Sequence, residues 1–126
     1  MAMRTPLKNV RGLGSAKEGS NHFWKQRVTG VANVFLGIFL VWLVASLAGA
    51  GHQDVKKALA NPFIAMGLGA LIVSGTIHMR LGMQTIIEDY VHGEAGKIAL
   101  VMLNTFFAAG VALASLYAIL KLSFGA

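Results

Sequence analysis

Three long apolar runs, each free of charged residues, constrain this chain more than any other feature of its sequence. They extend from Val28 to Ala50, from Ala58 to Met79 and from Ile98 to Leu120. About twenty helical residues suffice to cross the ~30 Å hydrocarbon core of a bilayer. Backbone groups in lipid must be hydrogen-bonded internally, so each run is predicted to be an α-helix. We expect an all-α integral membrane protein with three transmembrane helices, at about 28–50, 58–90 and 98–120.

The composition limits what such a protein can do. Of its 126 residues, 56% are hydrophobic and only 13% are charged, which leaves too little polar surface for a soluble domain. We therefore predict a single membrane domain over residues 1–126, of which 1–27 form a basic tail. The absence of cysteine excludes disulfides, thiolate-held iron–sulfur clusters and a covalently attached c-type haem. Any electron-carrying cofactor would then be held non-covalently, by side chains such as histidine.

Basic residues are unevenly distributed about the three runs, and this predicts the orientation. Seven of them fall on the side of the N-terminal tail and the second loop, against three on the other side. The seven are Arg4, Lys8, Arg11, Lys17, Lys25, Arg27 and Lys97, and the three are Lys56, Lys57 and Lys121. Because positive residues stay inside, we predict the N-terminus inside and the C-terminus outside. A basic tail beside a span is better explained by anionic membrane lipid than by nucleic acid.

His78 is an ionisable residue within the second run, where such residues are rare and usually functional. Gly75 and Gly82 lie on the same helix face and lack side chains, which leaves clearance for a flat ligand such as porphyrin. Neutral imidazole is a common axial ligand of haem iron. The alternative is a histidine hydrogen-bonded to a neighbouring helix. The other histidines lie outside the apolar runs, so a bis-histidine haem would need its second ligand from another polypeptide. They are His22, His52 and His92.

Arg80 lies two residues after His78, about 200° away around the helix. It could extend toward the membrane surface from a helix end, or it could curl round to pair with a haem propionate. Asp89, eleven residues after His78, returns to the His78 face roughly 16 Å nearer the inner surface. With Tyr90 it could form an ordinary interfacial helix end, which position alone favours. A phenol beside a carboxylate could also hydrogen-bond a quinone carbonyl.

Two segments of the chain resemble the hydrophobic membrane-anchor subunit of succinate dehydrogenase. One is Ser20 with His22–Thr29, where Trp24 and Arg27 would suit either an interfacial anchor or a contact with a peripheral partner. The other, His78–Tyr90, is the more specific. It has the family's histidine, a glycine four residues later, and an Asp-Tyr pair eleven and twelve residues after the histidine.

The resemblance implies a set of cofactors and partners. This chain would pair with a second, cytochrome b-type anchor subunit and share one b-type haem, each chain giving one histidine. His78 would then be the axial ligand of the haem iron, and Tyr90 with Asp89 would bind ubiquinone. Arg80, toward a haem propionate, and Arg27 are further candidates for cofactor binding. The flavoprotein and iron–sulfur subunits would dock on the inner side.

The resemblance also implies a role without catalysis by the chain alone. As an anchor subunit of respiratory complex II, it would take part in electron transfer from succinate to ubiquinone, in the bacterial inner membrane in preference to the mitochondrial one. Two alternatives remain. One is a fumarate reductase-type anchor, and the other is a small proton- or ion-conducting subunit with His78, Arg80 and Asp89 as its polar path.

Overall fold

The computed structural model describes residues 6–7 and 18–125 of the chain. Four helices run through residues 18–125, and we number them α1 (Glu18–Ser46), α2 (His52–Ala60), α3 (Pro62–Tyr90) and α4 (Glu94–Ser123). Three of them, α1, α3 and α4, are long and apolar enough to cross a membrane. The described residues contain no strand. The predicted fold class, all-α with three membrane-spanning helices, is confirmed.

The helices differ from the predicted ranges at their ends. The first span, α1, begins at Glu18, ten residues before the start of its apolar run, and the third span, α4, extends from Glu94 to Ser123. Polar residues outside the hydrocarbon core can continue a helix, because the backbone hydrogen bonds remain internal whatever the side chains contact. The first helix also ends early, at Ser46, in a turn where Gly49 has a positive φ of 78°. That conformation favours glycine.

The connection between the first two spans is more ordered than a loop, because it contains the short helix α2. Asn61 separates α2 from α3 with an extended backbone, and its side-chain oxygen accepts a hydrogen bond from the Phe63 N–H at 2.9 Å. Pro62 is the first residue of α3, where its missing N–H costs nothing. The predicted N-cap at Asn61 is confirmed. It also explains why α3 starts at residue 62 and not at 58, since a residue before proline avoids the helical region.

α3 is the central helix of the bundle. It packs against α1 on one side and α4 on the other, while α1 and α4 make no contact with each other in the described part of the chain. Small residues allow the close approach of α1 and α3. A Cβ added at Gly67 would lie 2.9 Å from Cε1 of Phe39, and one added at Gly82 would lie 3.4 Å from Nε2 of Gln26.

Few side chains are buried within this arrangement. The buried apolar residues among those described are Leu43, Leu81, Ile87 and Ala108. Large apolar side chains instead cover the outside of the spans, as at Phe35 and Phe106. An exterior of this kind faces lipid or another membrane subunit.

Candidate functional site

The site is organised around the imidazole of His78, which is half-buried where α3 crosses α1. Its Nδ1 lies 3.1 Å from the Oγ1 of Thr29, a buried residue of α1. The Thr29 hydroxyl donates its own hydrogen to the Lys25 carbonyl at 2.6 Å. Because that hydrogen is already used, the Thr29 oxygen accepts from Nδ1–H of His78. This assignment puts the proton on Nδ1 and leaves the lone pair of Nε2 available.

The backbone of α1 holds the same imidazole in place. Gly30 lies directly against the ring, since a Cβ added there would be 3.4 Å from Cε1 of His78 and 3.8 Å from Nδ1. One turn earlier on α3, Ser74 donates a hydrogen bond to the Thr29 carbonyl at 3.2 Å. The imidazole therefore lies against a helix that is tied to α3 by side-chain hydrogen bonds at Thr29.

An open cavity of about 480 Å³ lies beside His78, and we call it the His78 cavity. Its remaining lining comes from α1 and is largely apolar. These residues are Gly19, His22, Phe23, Gln26, Arg27, Gly30, Val31 and Val34. The guanidinium of Arg27 lies over the Phe23 ring, 5.0 Å from its centroid. The residues Arg27 and His78 therefore line the same, largely apolar cavity.

One residue that lines the His78 cavity carries a buried oxygen without a partner. Oε1 of Gln26 is buried and has no hydrogen-bond partner among residues 6–7 and 18–125. A buried carbonyl oxygen without a partner is costly, so a donor group is expected to complete it.

Arg80 faces a different part of the molecule. Its Nε donates to Oγ1 of Thr105 at 3.3 Å, and its carbonyl accepts from Nδ2 of Asn104 at 2.9 Å, so both contacts are with α4. It lines two other cavities and does not line the His78 cavity. The half-turn that separates His78 from Arg80 in sequence places them on opposite packing surfaces of α3.

Asp89 and Tyr90 are the last two residues of α3 and remain open to solvent or a partner. The Tyr90 side chain is 77% exposed, and neither residue lines any of the three cavities. The preceding residue, Glu88, accepts a hydrogen bond from Nε2 of Gln84 at 2.8 Å. The phenol and carboxylate therefore form an uncovered polar pair at one end of the bundle.

Comparison with known proteins identifies the family of this three-helix chain. Residues 1–116 match the model of the succinate dehydrogenase/fumarate reductase transmembrane subunit. The chain belongs to this family. It is 31% identical to the succinate dehydrogenase hydrophobic membrane anchor subunit of Paracoccus denitrificans. The 122 aligned residues cover 97% of this chain and 94% of that protein.

Two further relatives bear similar names. The chain is 30% identical to the succinate dehydrogenase hydrophobic membrane anchor subunit of Rickettsia conorii, over 82% of its length and 83% of the relative. It is 31% identical to the succinate dehydrogenase membrane anchor subunit of Reclinomonas americana, over 69% of this chain and 75% of the relative. The predicted resemblance to the succinate dehydrogenase membrane anchor is confirmed, and with it the coarse function of a membrane-anchor subunit.

Gly75 and Gly82 were both expected to leave open space beside His78, and only Gly75 does so. A Cβ added at Gly75 would meet nothing within 4 Å, so its surroundings are open. The space over Gly82 is instead taken by the Gln26 side chain of α1. Gly82 therefore serves helix packing, and the clearance at His78 lies on the Gly75 side.

Of the remaining described histidines, two lie away from His78 and one lines the same cavity. His52 and His92 are exposed, on α2 and in the loop before α4. His22 lines the His78 cavity, but its Nε2 lies 3.3 Å from the Leu81 carbonyl and is engaged there. Within residues 6–7 and 18–125, no three His, Cys, Asp or Glu side chains are grouped so that they could hold a metal ion. His78 remains the imidazole best placed to bind a ligand in this cavity.

Three residues of the site had no predicted role, namely Thr29, Gly30 and Gln26. Their sequence signal is weak, because a hydroxyl, a glycine and an amide within a helix are common in membrane proteins. Only the distance to His78 or to Gly82, across the helix interface, distinguishes them.

Proposed function

We propose that this membrane anchor holds a b-type haem through Nε2 of His78, together with a second membrane subunit that supplies the other axial ligand. The observation that carries the proposal is the 3.1 Å distance between His78 Nδ1 and Thr29 Oγ1, a contact that we assign as Nδ1–H donating to the hydroxyl oxygen. Metal-binding histidines usually donate their other ring N–H in this way, which orients the ring and raises the basicity of the ligating nitrogen. When bound, the haem supplies a one-electron carrier within the membrane.

The residues around His78 suit a porphyrin. The cavity is largely apolar, Gly75 leaves open space, and Arg27 provides a guanidinium on the same side as the imidazole. Guanidinium pairs well with carboxylate, so we assign the propionate contact to Arg27. Arg80 is the weaker candidate, since its side chain contacts Thr105 and lines other cavities.

The second part of the proposed function is ubiquinone binding at the Asp89-Tyr90 pair. Both side chains are exposed, and a phenol is a suitable donor to a quinone carbonyl. An iron–sulfur subunit docked on this end, with the flavoprotein subunit beyond it, would cover the pair and bring electrons to it. The chain would then act in electron transfer from succinate to ubiquinone without being an enzyme by itself.

We place this assembly in the bacterial inner membrane, with the N-terminus and Tyr90 on the inner side. Family membership favours an anchor subunit over an ion-conducting subunit. The family model covers succinate dehydrogenases and fumarate reductases alike, whereas the relatives described above bear the succinate dehydrogenase name. Succinate oxidation is therefore the direction we propose.

A histidine replacement series tests the haem proposal. We expect His78→Ala in the purified complex to abolish the low-spin bis-histidine signal in the reduced-minus-oxidised spectrum or to lower haem occupancy strongly. His92→Ala is the matched control, because His92 is exposed in a loop, and should leave the spectrum unchanged. His22→Ala tests the other imidazole that lines the cavity and should also retain the signal. An unchanged low-spin spectrum in His78→Ala would refute the assignment.

A further inference from the structure

Arg80 lines two cavities of opposite character, and neither of them includes His78 in its lining. The first, which we call the polar cavity, has a volume of about 630 Å³ and lies between α1 and α3. Its polar lining residues, besides Arg80, include Asn21, His22, Lys25, Gln84, Thr85 and Glu88. The second, the apolar groove, has a volume of about 400 Å³ and lies between α3 and α4. The groove is bounded mainly by Val73, Ile77, Ala108, Ala109 and Ala112.

The position of Arg80 along α3 corresponds to a membrane boundary. It comes eighteen residues after Pro62, or about 27 Å along the helix at 1.5 Å per residue. The hydrocarbon core is ~30 Å thick, so an α3 that enters it near Pro62 leaves it near Arg80. Val73, at the far end of the groove, lies about 10 Å deeper. The polar cavity is thus at headgroup level and the groove extends into the hydrocarbon.

The charges at headgroup level favour an anion. Lys25 and Arg80 contribute two cations against the single carboxylate of Glu88, which accepts a hydrogen bond from Gln84, so the lining carries a net positive charge. Of the Arg80 side-chain nitrogens, only Nε has a hydrogen-bond acceptor among residues 6–7 and 18–125, namely Thr105. The outer part of the guanidinium is therefore available for the bidentate contact that phosphate favours.

We propose that Arg80 and Lys25 bind the phosphate of an anionic phospholipid, one acyl chain of which lies in the apolar groove between α3 and α4. A molecule with a negative head and an apolar tail fits both cavities at once, and Arg80 is the residue that they share. The α4 side of the groove is lined mainly by alanines, whose small side chains leave its volume of about 400 Å³ open to a hydrocarbon chain. The polar cavity adjoins the His78 cavity and shares Gly19 and His22 with it, but Arg80 and Lys25 do not line the His78 cavity, and Tyr90 lines neither.

Lipid retention by the purified complex tests this site. We expect mass spectrometry of the detergent-solubilised complex to detect bound phosphatidylglycerol, and Arg80→Gln to weaken its binding about five-fold, as expected for one basic residue at a membrane surface. Lys57→Gln is the matched control, since Lys57 is exposed on α2 at the other end of the bundle. It removes the same charge and should retain the lipid.

A second pair of variants tests the groove without changing charge. Ala109→Phe should fill the groove and reduce phosphatidylglycerol retention, whereas Ala114→Phe, at an exposed position of the same helix, should not. Added phosphatidylglycerol should raise the thermal stability of the delipidated wild-type complex more than phosphatidylcholine or inorganic phosphate. Equal retention in Arg80→Gln and Lys57→Gln, or equal stabilisation by phosphatidylcholine, would overturn the proposal. Stabilisation by inorganic phosphate alone would show an anion site without a lipid chain.

Discussion

The side chains of Thr29 and His78, 49 residues apart in sequence, lie within hydrogen-bond distance at 3.1 Å. The same hydroxyl donates to the Lys25 carbonyl within α1, which determines the direction of its bond to the imidazole. A residue on one helix thus sets the proton position and the orientation of a candidate ligand on another.

The first prediction follows from this bond. Thr29→Val keeps the shape of the side chain but removes the acceptor for Nδ1–H, which should make the His78 imidazole less basic. A less basic ligand stabilises ferric haem less, so the midpoint potential should rise by roughly tens of millivolts, equivalent to a neutral hydrogen bond. Thr29→Ser is the control and should restore the wild-type potential in a redox titration of the complex. Equal potentials in the valine and serine variants would contradict the role of the hydroxyl.

The second prediction concerns the contact between Gly30 and the imidazole. A Cβ at this position would already be in van der Waals contact with the ring, 3.4 Å from Cε1 of His78, so we expect the two further methyl groups of Gly30→Val to crowd the imidazole. Overpacking of this kind costs about 1–3 kcal/mol, and haem occupancy should fall. Gly37→Val on the same helix is the control, because a Cβ at Gly37 meets nothing within 4 Å. Haem content per complex is the measurement, and equal losses in both variants would mean that Gly30 has no special relation to His78.

The third prediction concerns Tyr90. Tyr90→Phe removes only a hydroxyl at a side chain that is 77% exposed, so assembly and haem content should be retained. Quinone reductase activity should fall sharply, chiefly because the ubiquinone ring is no longer aligned for electron transfer. The lost neutral hydrogen bond is by itself worth only ~0.5–1.5 kcal/mol. Succinate oxidation with an artificial acceptor that takes electrons from the soluble subunits is the control and should persist. Asp89→Asn should give a milder, pH-dependent loss. Wild-type quinone reduction in Tyr90→Phe would leave Tyr90 as an interfacial aromatic only.

The fourth prediction concerns orientation. The chain has no natural cysteine, so single cysteines report without background. At Ser20 and Gly93 they should resist a membrane-impermeant thiol reagent in intact cells, whereas one at Gln53 should react, because seven of the basic residues outside the spans lie on the predicted inner side and three on the outer. All three positions are exposed in the fold, so burial does not confound the result. The reverse labelling pattern would invert the topology and the side on which partners dock.

The sequence was sufficient for the features that depend on one helix at a time. Three spans follow from the length of apolar residue runs, since the thickness of the bilayer and the need to pair backbone groups leave helices as the only solution. The N-cap at Asn61 follows from local chemistry at a proline, and the His78–Tyr90 motif identified the family. Polar helix ends such as Glu18–Arg27 were missed as helix because nothing in their hydropathy differs from that of a basic tail.

The tertiary structure decided which neighbour each helix face meets. Helix periodicity separates His78 and Arg80 by about 200°, yet it does not say that one faces Thr29 of α1 and the other Thr105 of α4. The rotation and depth of α1 against α3 decide this, and they depend on contacts such as Gly82 with Gln26 that lie far apart in sequence. For the same reason the sequence indicated His78 as a candidate ligand, while only the packing of α1 showed what orients it.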